Sequence, residues 1–160
     1  MTDDMQPRLD YQKASPEALQ AMLQMERVVR KSGLEPKLLE LVKIRASQMN
    51  GCAFCLDMHT KDARALGETE QRIYTLSAWR EAPFYTGRER AALAWTEALT
   101  NIQEGHAPDY VYAEAARQFS EAELVNLTLA ITTINAWNRI SIGFRVVAGT
   151  YQGRAAHGSS

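Results

Sequence analysis

Asn50-Gly51-Cys52-Ala53-Phe54-Cys55-Leu56-Asp57-Met58-His59 is the stretch on which the reading of this chain turns. Asn50-Gly51 ends one apolar run and a second begins at Cys52, so the segment reads as a sharp corner between two helices. Cys52 and Cys55 are the only cysteines in the chain. Residues three and four apart share one face of a helix, so this spacing lets both thiols and the His59 imidazole converge. Two neighbouring thiols can trade an electron pair, and an imidazole beside them can favour a thiolate. Two plainer readings compete: cysteines packed as small apolar side chains, and a zinc site. Zinc needs a fourth ligand, and Glu40 is available only in an arrangement poor for a closed tetrahedron.

Working outward, helix signals repeat and strand signals are nearly absent. Pro36 opens a helix that runs to about Met49, and a second runs from about Cys52 to Leu66, with Gly67 as its stop. Upstream, Ser15-Pro16-Glu17 starts a helix that Gly33 ends. Downstream, Thr69 begins a short helix to about Arg80. Thr86 with Glu89 and Ser120 with Glu123 match capping boxes, which start helices at roughly 88–101 and 121–148. A weaker helix fits at about 109–118. The chain reads as one all-α domain over residues 1–160, a bundle of six or seven helices, with 153–160 as a frayed tail. Its last helix is apolar on most sides, through Leu124, Leu127, Ile131, Ile134, Trp137 and Phe144. Such a helix is expected to be buried, part of it against another subunit.

With 160 residues, 46% hydrophobic and a net charge of −1, the chain can bury a core and shows no electrostatic footprint for nucleic acid. Met1-Thr2-Asp3-Asp4 is polar and acidic, unlike a signal peptide. The charge-free stretch from Leu124 to Asn138 falls short of the about 20 apolar residues of a membrane span. A cytoplasmic protein without membrane or nucleic-acid partners is expected. In that compartment a CxxC pair is more often catalytic or metal-binding than structural.

Cys52 falls at or beside the cap of its helix and Cys55 in the first turn, where free N–H groups favour an anion. That effect is worth roughly 0.3–1 kcal/mol, less than one pKa unit. Alone it leaves a thiol of ordinary pKa mostly protonated at neutral pH. A second contributor is needed, and His59, four residues after Cys55, is placed to supply it. Disulfide formation asks only a small adjustment from i, i+3 geometry. Glu40 is the second informative residue, a carboxylate between Leu38-Leu39 and Leu41-Val42. Folding the helices back at the corner puts Glu40 about 15 Å and His59 about 10 Å from the bend, at similar depth. The carboxylate can then orient or charge the imidazole, and a salt bridge to Lys37, Lys43 or Arg45 is the plain alternative. His106 and His157 read as solvated; Trp79, Trp95 and Trp137 read as core or interface anchors.

Glu40, eleven intervening residues, Cys52-x-x-Cys55, three more and His59 resemble the E-x11-CxxC-x3-H signature of AhpD-like alkylhydroperoxidases, in the carboxymuconolactone decarboxylase superfamily. The likeness is strongest over about residues 34–70. It extends loosely to Ile134-Asn135-Ala136-Trp137-Asn138-Arg139, which looks like the family's asparagine-containing segment. The resemblance implies an all-α fold, typically a trimer or hexamer, and a thiol peroxidase with no cofactor and no metal. It implies Cys55 as the peroxidatic thiolate, Cys52 as the resolving cysteine, and Glu40 and His59 as the proton relay. The implied partners are a small or organic hydroperoxide and an external dithiol or thioredoxin-like reductant. That reductant is expected to attack Cys52, as the sulfur nearer the surface. The best-known members carry a second histidine just before the second cysteine; this chain has Phe54 there, so no relay runs through that position. Two rivals stand beside this reading. One is lactone or decarboxylase chemistry within the superfamily, which does not need the cysteine pair. The other is a redox sensor whose disulfide alters an assembly.

Overall fold

Most of the α-helices begin where a side chain accepts from their free N–H groups, while those opening at Pro36 and Asp109 start without such a cap. The computed structural model describes residues 4–153 and shows helices and turns, with no strand among those residues. In order they are α1 (Tyr11–Ala14), α2 (Pro16–Arg30), α3 (Pro36–Asn50), α4 (Ala53–Ala65), α5 (Glu70–Tyr74), a 3₁₀ turn (Leu76–Glu81), α6 (Gly87–Thr100), α7 (Asp109–Gln118) and α8 (Glu121–Gly143). Ser15 Oγ caps α2, and Pro16 follows where no donor is needed. Both capping boxes form reciprocally, Thr86 with Glu89 at α6 and Ser120 with Glu123 at α8. No helix of the described residues is long and apolar enough to cross a membrane.

The central helix is α3, which packs against α4, α6 and α8. Leu38, Leu39 and Val42 meet Leu127, Ala130 and Ile131 of α8 in one core cluster, while Leu41 and Ile44 meet Trp79 and Leu93 in another. Every residue from Leu38 to Ile44 is buried, Glu40 and Lys43 included. Apolar burial all round therefore falls on α3, rather than on the last helix as its composition suggests. α8 buries Leu124, Leu127, Ile131 and Ile134 but leaves Val125 69% and Ile142 47% exposed.

Three boundaries differ from expectation. The helix expected from Thr69 to Arg80 splits into α5 and the 3₁₀ turn, with Ala78 off helical geometry at φ −121°, ψ 32°. The short α1, capped by Asp10, has no counterpart in the sequence reading. α8 stops at Gly143 instead of running on to about 148. Arg145 takes a left-handed φ of 55°, the Val146 N–H reaches back to Ser141 O at 2.8 Å, and the Arg145 N–H to Ile142 O at 3.2 Å. That is a Schellman stop without the usual glycine. The Arg8 N–H and guanidinium take the carbonyls of Phe144 and Gly143.

The segment that follows is laid across α4. Gly149 N–H donates to Asp57 Oδ2 at 3.2 Å, Lys61 Nζ to Tyr151 O at 2.9 Å, and Tyr151 Oη to Asp62 Oδ1 at 2.7 Å. Gly153, where the frayed tail was expected to begin, is buried. The rest of that tail, with His157, lies outside the described residues, as do residues 1–3.

Candidate active site

The corner is built by one backbone angle. Gly51 closes α3 in the left-handed region at φ 71°, ψ 36°, its N–H bonded to Ser47 O. A Cβ there would meet nothing within 4 Å, so the requirement for glycine is conformational and not one of space. Cys52 then adopts extended geometry and becomes the N-cap of α4, its Sγ accepting from the Cys55 N–H at 3.3 Å. Cys52 and Cys55 are joined in a disulfide, with Cα atoms 5.3 Å apart. Ala46 and Ile134 pack beside the two sulfurs, with Phe54 and Trp137 against the same cluster.

Both sulfurs are enclosed. Cys52 is 1% exposed and Cys55 3%, so Cys52 is not the more open sulfur that its place at the corner suggests. The reason is the α8 wall: Ile134 and Trp137 close over a bend that sequence alone leaves on the surface.

His59 lies one helical turn beyond Cys55, buried, with Nδ1 3.0 Å from Glu40 Oε2. The two helices thus bring Glu40 and His59 into direct hydrogen-bond contact. A carboxylate on Nδ1 fixes the proton there and leaves Nε2 as the exchanging nitrogen. Lys43 does stand beside Glu40, Nζ to Oε1 at 4.0 Å, so the salt-bridge alternative and the imidazole contact hold together. Arg45 turns instead to Glu97 at 2.9 Å. Lys43 also lies 3.5 Å from Glu26 Oε2, and Glu26 Oε1 accepts the Trp137 indole N–H at 3.0 Å.

Asn135 and Asn138 act as struts between helices. Asn50 Nδ2 donates to both of their Oδ1 atoms at 2.9 Å, and Asn138 Nδ2 donates to Ser47 Oγ at 3.0 Å. These bonds tie α8 to the corner and hold Trp137 near the sulfurs. Arg139 is exposed and bonds back to Asn135.

Sequence reasoning missed Glu26, Asp62 and Tyr151. Asp62 carried a signal, its i+3 spacing from His59; Glu26 and Tyr151 carried none. A ring nitrogen of His59 and a carboxylate oxygen from each of Glu40 and Asp62 lie within 4.8 Å of one another. Lys43 already supplies a positive charge at Glu40 and would repel a divalent ion there, so the trio does not read as a metal site. A cleft of about 690 Å³ lined by Arg45, Trp79, Arg80, Glu97 and Tyr110 contains none of the site residues.

Against known proteins, the profile of the carboxymuconolactone decarboxylase family matches residues 16–98. The uncharacterized protein YdfG of Bacillus subtilis (strain 168) is 49% identical over 138 residues, which cover 86% of this chain and 94% of that one. The solved structure of ATU0492 from Agrobacterium tumefaciens superposes with a TM-score of 0.88 at 48% identity, over 91% of this chain and 100% of that one. That protein is of unknown function and named as a candidate antioxidant defence protein AhpD. The debrominase Bmp8 shares the fold at a TM-score of 0.76 and 19% identity, over 84% of this chain and 73% of its own.

Proposed function

The chain belongs to the carboxymuconolactone decarboxylase family and is AhpD-like, and from that premise we propose that it is a dithiol-dependent peroxidase acting on small or organic hydroperoxides. The observation that carries this reading is the Cys52–Cys55 pair at a helix corner, one turn from a histidine whose Nδ1 is held by a buried glutamate. Lactone or decarboxylase chemistry does not need such a pair.

In the reduced protein two supports favour different sulfurs. The N-terminal N–H groups of α4 face Cys52, as the Cys55 N–H does in the disulfide. His59 follows Cys55 by one turn of the same helix. The helix end contributes roughly 0.3–1 kcal/mol, whereas an imidazole can take the whole proton. We therefore assign Cys55 as the attacking thiolate, with His59 Nε2 holding its proton and Glu40 orienting the ring.

The cycle balances without a cofactor. Cys55 sulfur attacks the outer oxygen of ROOH; an S–O bond forms, the O–O bond breaks, and the alkoxide leaves as ROH with the proton from His59. Cys52 attacks the Cys55 sulfenic acid; the S–S bond forms and hydroxide leaves as water, taking the Cys52 proton. An external dithiol or thioredoxin-like protein then supplies two electrons and two protons and resets the pair. Ala46, Ile134, Phe54 and Trp137 make the surroundings of the sulfurs mainly apolar, which supports organic hydroperoxides over hydrogen peroxide. Exposed Val125 and Ile142 on α8 support a homo-oligomer, a trimer or hexamer, and the need for a reducing partner supports a cytoplasmic setting.

Stopped-flow oxidation of the reduced protein by cumene hydroperoxide and hydrogen peroxide tests the assignment. Cys55→Ser is expected to abolish fast peroxide consumption, while Cys52→Ser still consumes one equivalent and accumulates a sulfenic acid. The reverse pattern would exchange the two roles, and no consumption by the wild type would end the reading.

A further inference from the structure

Lys43 is 3% exposed in the middle of the most buried helix. A buried ammonium is tolerated only when paired, and this one lies between two carboxylates, 3.5 Å from Glu26 Oε2 and 4.0 Å from Glu40 Oε1. Each carboxylate then leads back to the sulfurs. Glu40 holds His59, one turn from Cys55. Glu26, from α2, holds the indole of Trp137, which packs in the cluster around Cys52 and Cys55. Four helices thus contribute to one row whose two ends meet at the disulfide. An ion pair kept only for stability is often no better than well-packed apolar side chains, so a buried pair with both ends at reactive atoms points to a task at those atoms.

We propose that Glu26 and Lys43 are positioning residues of the dithiol site: their pair sets the charge felt by Glu40 and His59 and, through Trp137, fixes the wall over the sulfurs. This deepens the peroxidase reading and rests on the same sulfurs. The direction follows from Coulomb's law. Lys43 places positive charge behind Glu40 and favours a thiolate at the end of the row; Glu26 partly cancels that charge. The other groups facing the row are Asp62 of α4, which accepts from Tyr151, and the neutral Trp137 and Asn138 of α8.

The test reads thiol ionisation, not turnover: the rate of iodoacetamide alkylation of the reduced protein as a function of pH, with folding checked by circular dichroism. Lys43→Met is expected to raise the midpoint of the profile by about one pH unit, about tenfold slower alkylation below it. Glu26→Gln keeps an acceptor for Trp137 and is expected to lower the midpoint by about half a unit. Lys43→Arg is expected to restore the wild-type profile. Merely structural damage has no reason to move the two charge variants in opposite directions. Shifts of the same sign, or a folded Glu26→Gln with an unmoved midpoint, would overturn the proposal. Glu26→Gln decides alone if Lys43→Met does not fold. A wild type that consumes no hydroperoxide but shows the opposed shifts removes the peroxidase and keeps the charge row. An active wild type without them removes only the row.

Discussion

Replacing Cys52 by serine separates the chemistry of the pair from its mechanics. The disulfide closes a loop of sequence separation 3, and the chain-entropy treatment gives so short a loop only about 2 kcal/mol of stabilisation. Serine removes that constraint but improves the cap of α4. Cys52 Sγ accepts from the Cys55 N–H at 3.3 Å, and sulfur is a weak acceptor. A serine hydroxyl is among the preferred N-caps, worth about 1 kcal/mol over a residue that cannot cap. The difference leaves a net loss of about 1 kcal/mol, or about 2–4 °C in Tm for a chain of this size. Thermal unfolding followed by far-ultraviolet circular dichroism, oxidised wild type against Cys52→Ser, measures it. Dithiol-driven turnover should vanish in the same variant. A Tm loss above about 10 °C would show a cross-link kept for the fold. Turnover surviving at the wild-type rate would place the chemistry elsewhere.

Tyr151→Phe removes the donor that reaches Asp62 Oδ1 at 2.7 Å and should cost about 1–2 kcal/mol. The loss is expected as faster amide exchange over residues 145–153, and unchanged protection there would refute the strap across α4. Burial pushes the Glu97 carboxyl up, but Arg80, the Trp79 indole and Arg45 outweigh it and hold it below the ordinary 4.5. A depressed carboxyl stabilises the fold above its unfolded value and loses that contribution as pH falls through the folded one. Tm should therefore drop as pH falls below about 4.5. Glu97→Gln should lower Tm at neutral pH and flatten the acid limb; parallel acid limbs would refute the assignment.

What was legible in the sequence is what local chemistry dictates. Ser15, Thr86 and Ser120 start helices because their side chains satisfy N–H groups within three residues, a bond independent of the rest of the fold. Gly51 marks the corner because only its φ of 71° needs a glycine nearby. The end of α8 was illegible because Arg145 takes the left-handed position that glycine usually signals. The apolar run of α8 was legible as more than one chain's core needs, but not which positions, Val125 and Ile142 among them, stay exposed, since which face meets α3 depends on tertiary packing. At the candidate site, the meeting of Glu40 with His59 and of Cys52 with Cys55 was readable because a fold-back at a known residue converts spacing into depth. Glu26 and Tyr151 were not: Glu26 lies 111 positions from its indole partner and Tyr151 lies 89 from its carboxylate. No local period encodes contacts of that separation.

The same locality bears on whether this pair is a catalyst or a sensor. A disulfide acts as a switch when it joins elements that otherwise move apart, because its constraint then reaches beyond its own turn. Cys52 is the N-cap of α4 and Cys55 its third residue, so the bond begins and ends within one helical turn. Opening it releases the first turn of α4 and little else. The corner stays pinned by Gly51 and by the Asn50–Asn135, Asn50–Asn138 and Asn138–Ser47 bonds, none of which uses a sulfur. A change confined to one turn has poor leverage over a subunit interface, and it is well suited to repeated opening and closing. In the proposed cycle, the hydrogen-bonded His59 and Glu40 would give each turn a place for its proton. The scaffold that holds the corner therefore favours turnover over signalling.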